Sequence, residues 1–524
     1  MDFRTREHGG FQRTRSGQLL GGNTMRWYTR IVFGVMVSLL AALPVLAQDP
    51  APLTDREKEL LTLIEKLENR VSVLEAQLAE MKQASPSPEA ASVPAAQVSA
   101  EDTATGKTDS KSLEERVAVL EKEREGSLKT FWKEGLRLES PDGQFKLKLG
   151  GRLYMDFVWF DQDASLKRAF GDEQDGGQIR MGRIDLQGTL YEDVLYRLEY
   201  ELAGNNGPNG FTDTYLGYTG IPGISSILVG HFKEPFSLEE ITSDLYTSFM
   251  ERAMPVSIAP SRNLGIMASG AWLGEPKQER LFAQVGTFKE TDNWPSANDL
   301  DEARGWSLTA RVAGLPWYAD KGRQLLHLGA SYSRRDIDGA TVNPYRFQPR
   351  PETALALYRY VDSEGFKGFR LQDTRPEDAD LYGLEAALVL GPVSAQAEYL
   401  LADVNTTFAG DLRFAGWYAF LSWFLTGENR VYNHKDGTFG RLIPRHNFAW
   451  GKGWGAWELL ARYSTLDLNA DITRGGNQDN ITLGLNWYWN PNTRLMLNYT
   501  YADVDHDLYS GNMNIVQTRF QVDF

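Results

Sequence analysis

Seven basic side chains carry the most pointed chemistry in this 524-residue chain: Arg152, Arg180, Arg183, Arg197, Lys233, Arg252 and Arg262. A guanidinium presents a rigid fork of donors that suits phosphate-like anions, and it stays charged at any physiological pH. Placed along a narrow aqueous passage, such groups would choose which solutes pass. Each also has a purely structural use. Arg183 stands close to Asp185, and Arg197 close to Glu199, so a salt bridge on the strand face could absorb the charge. Other chemistry is thinly represented. With no Cys there is no thiolate nucleophile, disulfide or Cys-held metal. His8, His231, His327, His434, His446 and His506 show no H-E-x-x-H or paired-ligand spacing. Asp503, Asp505 and Asp507 could bind Ca²⁺ in a loop or simply solvate it. A barrel lipase would need a Ser/His pair near the lipid rim, which the spacing does not single out. The expectation is a non-enzyme with no catalytic residue, no metal and no cofactor.

Strands must hold these cations. Phe145, Leu147, Leu149, Leu153, Met155, Phe157 and Trp159 alternate with Lys146, Lys148, Arg152, Tyr154 and Asp156. One face suits lipid and the other water. The pattern recurs in Tyr196, Leu198, Tyr200 and Leu202 against Arg197, Glu199 and Glu201, and in Trp306, Leu308, Ala310 and Val312 against Thr309 and Arg311. A soluble β-sandwich would also alternate. The high aromatic content (14 Trp, 22 Tyr, 25 Phe), 49 Gly and mean hydropathy of −0.40 fit a membrane β-barrel and exclude a polytopic helical protein. The net charge of −15 argues against a nucleic-acid partner.

Both chain ends carry export and assembly features. Arg26 and Arg30 precede the apolar run Ile31–Leu43, and Val45-Leu46-Ala47 offers a cleavage site, so 1–47 reads as upstream residues and a signal peptide, with Met25 a natural start. Leu60, Ile64, Leu67, Val71, Leu74, Leu78 and Met81 form heptads, which predicts a coiled coil within 48–83. Arg70 to Glu75 resembles a trimeric coiled-coil motif and recurs as Arg116 to Glu121 in a short second coil, 112–125. Two ordinary amphipathic helices are the competing reading. The Ala/Ser/Pro-rich 84–111 reads as a disordered linker. Phe524 ends an alternating last segment, with Phe520 and Val522 on its face and Arg519, Gln521 and Asp523 opposite. That is the pattern the barrel assembly machinery reads in bacterial outer-membrane proteins.

Sixteen strands are predicted, beginning near 144, 178, 194, 211, 225, 263, 279, 304, 323, 379, 393, 412, 454, 478, 493 and 511. The fold class is thus an all-β membrane protein: a 16-stranded antiparallel transmembrane β-barrel over 126–524, preceded by an α-helical coiled coil. An even count puts both ends in the periplasm. Tight turns at 191–193, 221–223, 391–392 and 490–492 then fall inside, and the long segments 161–177, 235–262, 290–303 and 336–378 outside. Segment 425–453 breaks this rule, being long where an inner turn is due.

Several blocks resemble the phosphate-selective porin O/P family. They include Gly230-His231-Phe232-Lys233-Glu234-Pro235-Phe236-Ser237-Leu238-Glu239, Thr242-Ser243, Glu251-Arg252 and Phe424-Leu425-Thr426-Gly427-Glu428-Asn429-Arg430. Gly455-Ala456-Trp457-Glu458-Leu459, Arg462-Tyr463-Ser464, Leu483-Gly484-Leu485-Asn486-Trp487-Tyr488 and Asn490-Pro491-Asn492 continue the likeness, which covers about 130–524. The resemblance implies a homotrimer of barrels in the outer membrane of a Gram-negative-type bacterium, with inward-folded loops. It places a constriction loop at 235–262, carrying Glu239, Glu240, Asp244 and Glu251, another inward loop at 336–378, and an inward-tucked turn at 425–453.

The implied function is passive diffusion of small anions, with phosphate or polyphosphate as the family's solutes. Two departures bear on this. Met181 replaces an Arg in Arg180-Met181-Gly182-Arg183, and Thr242-Ser243-Asp244-Leu245 carries an acid where the family has lysine. Residues 126–524 hold 39 Lys and Arg against 51 Asp and Glu, a balance of −12. Two alternatives remain: a general or differently selective porin, and a tether that joins membrane to cell wall through a coil on peptidoglycan.

Overall fold

The computed structural model describes residues 127–204, 210–290, 305–337, 345–363, 374–470 and 472–524. The expected export signal, coiled coils and linker lie outside the described residues.

Sixteen long antiparallel strands form one wall: β1 (Phe145–Gln162), β2 (Gly176–Leu190), β3 (Val194–Glu201), β4 (Gly210–Tyr218), β5 (Ser226–Lys233), β6 (Arg262–Trp272), β7 (Leu281–Lys289), β8 (Trp306–Ala319), β9 (Gln324–Asp336), β10 (Pro376–Leu390), β11 (Val393–Thr406), β12 (Gly410–Phe424), β13 (Ala456–Ala470), β14 (Thr473–Asn490), β15 (Thr493–His506) and β16 (Tyr509–Asp523). Each pairs with its sequence neighbours. β16 returns to β1, from Met513 opposite Gln162 to Asp523 opposite Arg152. The sheet is a closed barrel, the only strand arrangement that leaves no unsatisfied edge in lipid.

Alternation sets which side chains face out. On β1, Met155, Phe157 and Trp159 are exposed on the outer wall, whereas Arg152, Tyr154 and Asp156 are buried inside. At the chain end Phe520, Val522 and Phe524 face out, and Arg519, Gln521 and Asp523 face in.

The seam needs one further element. β1 extends seven residues past its last partner on β16, from Gly151 back to Phe145. A hairpin of Lys129–Trp132 and Leu136–Glu139 pairs with Lys146–Leu149 and covers part of this edge. Phe524 exchanges two backbone hydrogen bonds with Gly151, each 3.0 Å, and its ring stacks on Trp132. Capping an open edge removes a template for unwanted pairing.

The interior is not empty. Phe236, Phe249, Met254 and Ile258 of loop 234–261 pack with Phe347 and Tyr360 of loop 345–363 against Leu400, Phe414, Phe420 and Leu466 of the wall. A second cluster joins Leu238, Phe282, Leu325 and Val389 to Tyr432 and Phe439 of the long turn 425–455. Three chain segments therefore occupy the lumen. The turn belongs to the same end of the barrel as the C-terminus, called the terminal end below.

Candidate functional site

Loop 234–261 follows β5 and is fixed before it reaches the charged wall. Ser237 caps a one-turn helix, Leu238–Ile241, its Oγ accepting from Glu240 N–H at 3.2 Å. The free N–H groups of Leu238 and Glu239 donate to the two oxygens of Glu398 on β11, at 3.0 and 2.7 Å. Further along, inward side chains of β13 to β16 hold the loop by its carbonyls. Gln521 donates to Leu245 O at 3.2 Å, Arg494 to Thr247 O at 2.8 Å and Asn486 to Ser248 O at 2.8 Å. Arg519 donates to Met250 O at 2.5 Å and Arg462 to Glu251 O at 3.1 Å. Arg462 also lies 4.2 Å over the Phe249 ring. Buried carbonyls left unpaired would cost about 1–3 kcal/mol each, so this row of donors keeps the loop in one place.

The loop then meets the cations of β1 to β6. Arg152 pairs with Glu199 at 2.5 Å and with Asp244 of the loop. Arg183 reaches Glu199 at 2.9 Å, Glu201 at 2.8 Å and Asp244 at 3.6 Å. Arg197 sits among Asp185 (2.9 Å), Glu199 (2.9 Å) and Asp213 (2.8 Å), and Arg262 shares Asp213 at 2.6 Å. Lys233 and Arg252 share Glu240, at 3.5 and 3.2 Å. The network thus holds six cations against six carboxylates and is neutral. Arg180 stands apart, gripping Glu251 at 3.0 and 3.1 Å, while Arg519 bridges Glu251 and Asp156.

These contacts set the charge of the loop acids. Burial opposes ionisation of Asp244, but Arg152 and Arg183 outweigh it and hold the carboxyl well below its usual range. Glu251 is partly buried, which opposes ionisation, yet Arg180 and Arg519 draw it down to about 2. Glu240 is lowered by Arg252 and Lys233 against the same burial cost. Glu239 goes the other way, because burial outweighs its distant pairing with Arg462 at 3.5 Å.

All seven expected cations and all four loop acids lie in this one region. The partners differ from the sequence reading in one respect: Asp185 serves Arg197, and Arg183 turns to β3 and the loop. Within the network the most accessible side chains are Arg252 at 26 %, with Arg197 and Asp244 at 20 %. Arg152 is buried, and the Arg183 side chain is 9 % exposed.

Sequence reasoning missed a second group. Loop 345–363 carries Arg346, Arg350 and Arg359 on the side of the barrel opposite the terminal end. Arg346 forms a bidentate pair with Asp362, and Arg359 donates to Gln348 O at 3.1 Å. Burial, then repulsion from Arg359 and Arg180, makes Arg350 easier to deprotonate; burial and Arg346 do the same to Arg359. Acids are present here as well: Glu173 accepts from Leu357 N–H, Tyr358 N–H and Tyr360 Oη, and Glu352 of the same loop pairs with Arg462 at 2.5 Å. Each of these arginines stands among aromatic and proline residues, Tyr345-Arg346-Phe347 and Tyr358-Arg359-Tyr360, a weak signal with no period to extract.

Two of the inward histidines serve structural contacts. His327 links Glu385 (2.9 Å) to Tyr432 of the long turn (2.7 Å), and His231 bonds Thr212 O at 2.6 Å. Among the described residues no three His, Asp or Glu side chains converge on a metal-sized site.

Comparison with known proteins agrees with this architecture. The phosphate-selective porin O and P family model matches residues 147–524. Porin O of Pseudomonas aeruginosa is 29% identical over 401 residues, covering 71% of this chain and 86% of that protein. An uncharacterized protein of Caulobacter vibrioides is 32% identical over 406 residues, covering 75% of this chain and 76% of its own length. Among solved structures, the anion-selective porin from Comamonas acidovorans is 14% identical, with a TM-score of 0.45 over 72% of this chain and 100% of that one. The outer membrane channel DcaP of Acinetobacter baumannii is 11% identical, with a TM-score of 0.43 over 72% of this chain and 97% of that one. Family and fold together point to an outer-membrane channel rather than an enzyme. The chain belongs to the phosphate-selective porin O and P family.

Proposed function

We propose that this porin is a passive diffusion channel for small hydrated anions with only a mild preference over cations. The observation that carries the reading is the balanced charge at the constriction. Around loop 234–261 six cations meet six carboxylates, so a passing anion gains at each arginine and loses at the neighbouring acid. Nearer the opposite mouth Arg346, Arg350 and Arg359 stand with the acids Asp362 and Glu173, and Arg180 lies within their field. Anions would be gathered at the mouth and weakly sorted at the constriction. Arg180, Arg197, Lys233, Arg252 and Arg262 are the pore-lining cations in this reading, with Arg152 and Arg183 positioning them. Phosphate or polyphosphate is the finer assignment, resting on family membership alone.

A general porin is the second reading, and the neutral constriction favours it. The terminal end is assigned to the periplasm, and Phe524 to recognition by the barrel assembly machinery. A homotrimer is supported by the low wall at β3 and β5, eight residues each, where a span needs about 9–11. The expected coil, 48–83, could add a periplasmic link to peptidoglycan. Reversal potentials in KCl gradients across planar bilayers test the channel reading. A displacement towards the chloride equilibrium potential supports it, reversal at zero supports the general porin, and an absence of conductance defeats both.

A further inference from the structure

We propose that residues 443–454 form a strap on the outside of the barrel that docks phospholipid, with acidic headgroups as its preferred ligand. The strap is the last part of the long turn. Up to Arg441, which pairs with Asp523, the turn lies in the lumen. It then passes beneath the rim. Phe448 packs 4.8 Å from Trp487 and 5.9 Å from Trp489, and its N–H donates to Trp489 O at 2.6 Å. Trp487 shares the outward face of β14 with Ile481 and Leu483, both exposed, and stacks on Trp457 of β13 at 4.9 Å. The indole N–H groups of Trp487 and Trp457 both donate to Trp454 O, at 2.8 and 3.1 Å. The strap is therefore fastened to the lipid-facing wall and, through Arg445, to Gly427 and Glu428 at the start of the turn.

Its conformation is fixed as well. Ala449 and Gly453 exchange backbone hydrogen bonds of 3.1 and 3.0 Å. A side chain at Gly453 would sit 2.3 Å from Asn447 O, and one at Gly455, where φ is +68°, 2.2 Å from Tyr488 O. This tight turn holds Trp450 and Trp454 outward, each 77 % exposed, with Ile443 also exposed. Large apolar side chains held rigidly in water mark an interaction surface. The surface is continuous with the outer wall, where Trp423 and Leu425 are exposed, so lipid is the occupant it adjoins. Indoles favour the headgroup level of a bilayer. Arg445 precedes the two tryptophans and Lys452 lies between them; both are exposed and neither side chain forms an ion pair among the described residues, Arg445 donating its N–H to Glu428 Oε1 at 2.9 Å and its guanidinium to Gly427 O. A cation at that level attracts acidic lipid.

The inference rests on the membrane-spanning barrel; the proposed orientation serves only to name the leaflet as the periplasmic one. Because the chain has no Cys, Trp450→Cys and Trp454→Cys each give a single labelling site. Bimane-labelled variants would be placed in symmetric vesicles of phosphatidylcholine, with or without phosphatidylglycerol. Spin-labelled lipid should quench the label, aqueous iodide should not, and phosphatidylglycerol should deepen the effect. In an Arg445→Gln/Lys452→Gln background the local enrichment of phosphatidylglycerol should fall about fivefold for each cation removed. Quenching by iodide and not by lipid would overturn the proposal. So would shielding from iodide seen only in native membranes, which would indicate a protein or cell-wall partner. KCl conductance of the same vesicles reports separately on the channel, so failure of one reading is not failure of the other.

Discussion

Asp244→Lys is the most informative single change at the constriction. Asp244 contacts Arg152 and Arg183, is 20 % exposed and carries full negative charge because both guanidinium groups favour its ionised form. Losing it does not strand its partners. Arg152 keeps Glu199 at 2.5 Å, and Arg183 keeps Glu199 and Glu201 at 2.9 and 2.8 Å. The substitution changes the neutral network by two units of charge. Two charges about 8 Å from an ion in water are worth about 1 kcal/mol, and a Debye length of about 10 Å at 0.1 M salt cuts this to about half. The potential favours Cl⁻ and disfavours K⁺ equally, so the Cl⁻/K⁺ permeability ratio should rise about fivefold. Asp244→Asn changes one unit and should give about twofold by the same reasoning. Planar-bilayer reversal potentials measure both, with heat-modifiable migration as the folding control. Folded variants that reverse at the wild-type potential would refute the claim that this loop sets local charge.

Four further outcomes are expected. Arg350→Ala/Arg359→Ala should lower anion conductance at low salt and leave it unchanged at 1 M, where screening removes the mouth's field, as conductance–salt curves would show. Glu251, drawn down to about 2 from 4.5, should stabilise the fold above pH 4.5, by about 3 kcal/mol at most, and lose that contribution as pH falls towards 2. The unfolding-temperature gap between wild type and Glu251→Gln should therefore close between pH 4.5 and pH 2. Phe524→Ala should accumulate periplasmic precursor, yet the protein that does fold should resist heat almost as wild type does, as fractionation and gel mobility would report. Deleting 48–125 should leave detergent-stable trimers; monomers alone would assign association to the coil.

Much of the barrel was legible because lipid on one face and polar groups on the other impose a period of two. The expected start of β1, near 144, compares with Phe145, and those of β3, β11 and β15 coincide with Val194, Val393 and Thr493. The largest miss is β14, expected near 478 and beginning at Thr473. Its first residues, Thr473-Arg474-Gly475-Gly476-Asn477, carry no apolar alternation, and their strand form comes from pairing with β13 across a tight turn. Leu400, Val404, Phe414 and Leu468 broke the pattern differently, being apolar on the inner face because lumenal loops pack there. The inward phase identified the wall arginines and the Arg197–Glu199 pair but not the remaining partners. Asp213 on β4 serves Arg197 on β3 and Arg262 on β6, a fact of register that no spacing in one strand reveals. Arg346, Arg350 and Arg359 were invisible for a simpler reason: a loop has no period.

The central claim is a channel whose neutral constriction leaves only a mild anion preference, and the reversal potential of the wild-type protein in a KCl gradient tests it most directly. The account predicts a small displacement towards the chloride equilibrium potential that grows as salt is lowered. Reversal close to the potassium equilibrium potential, or a reconstituted, folded barrel that carries no current, would contradict it.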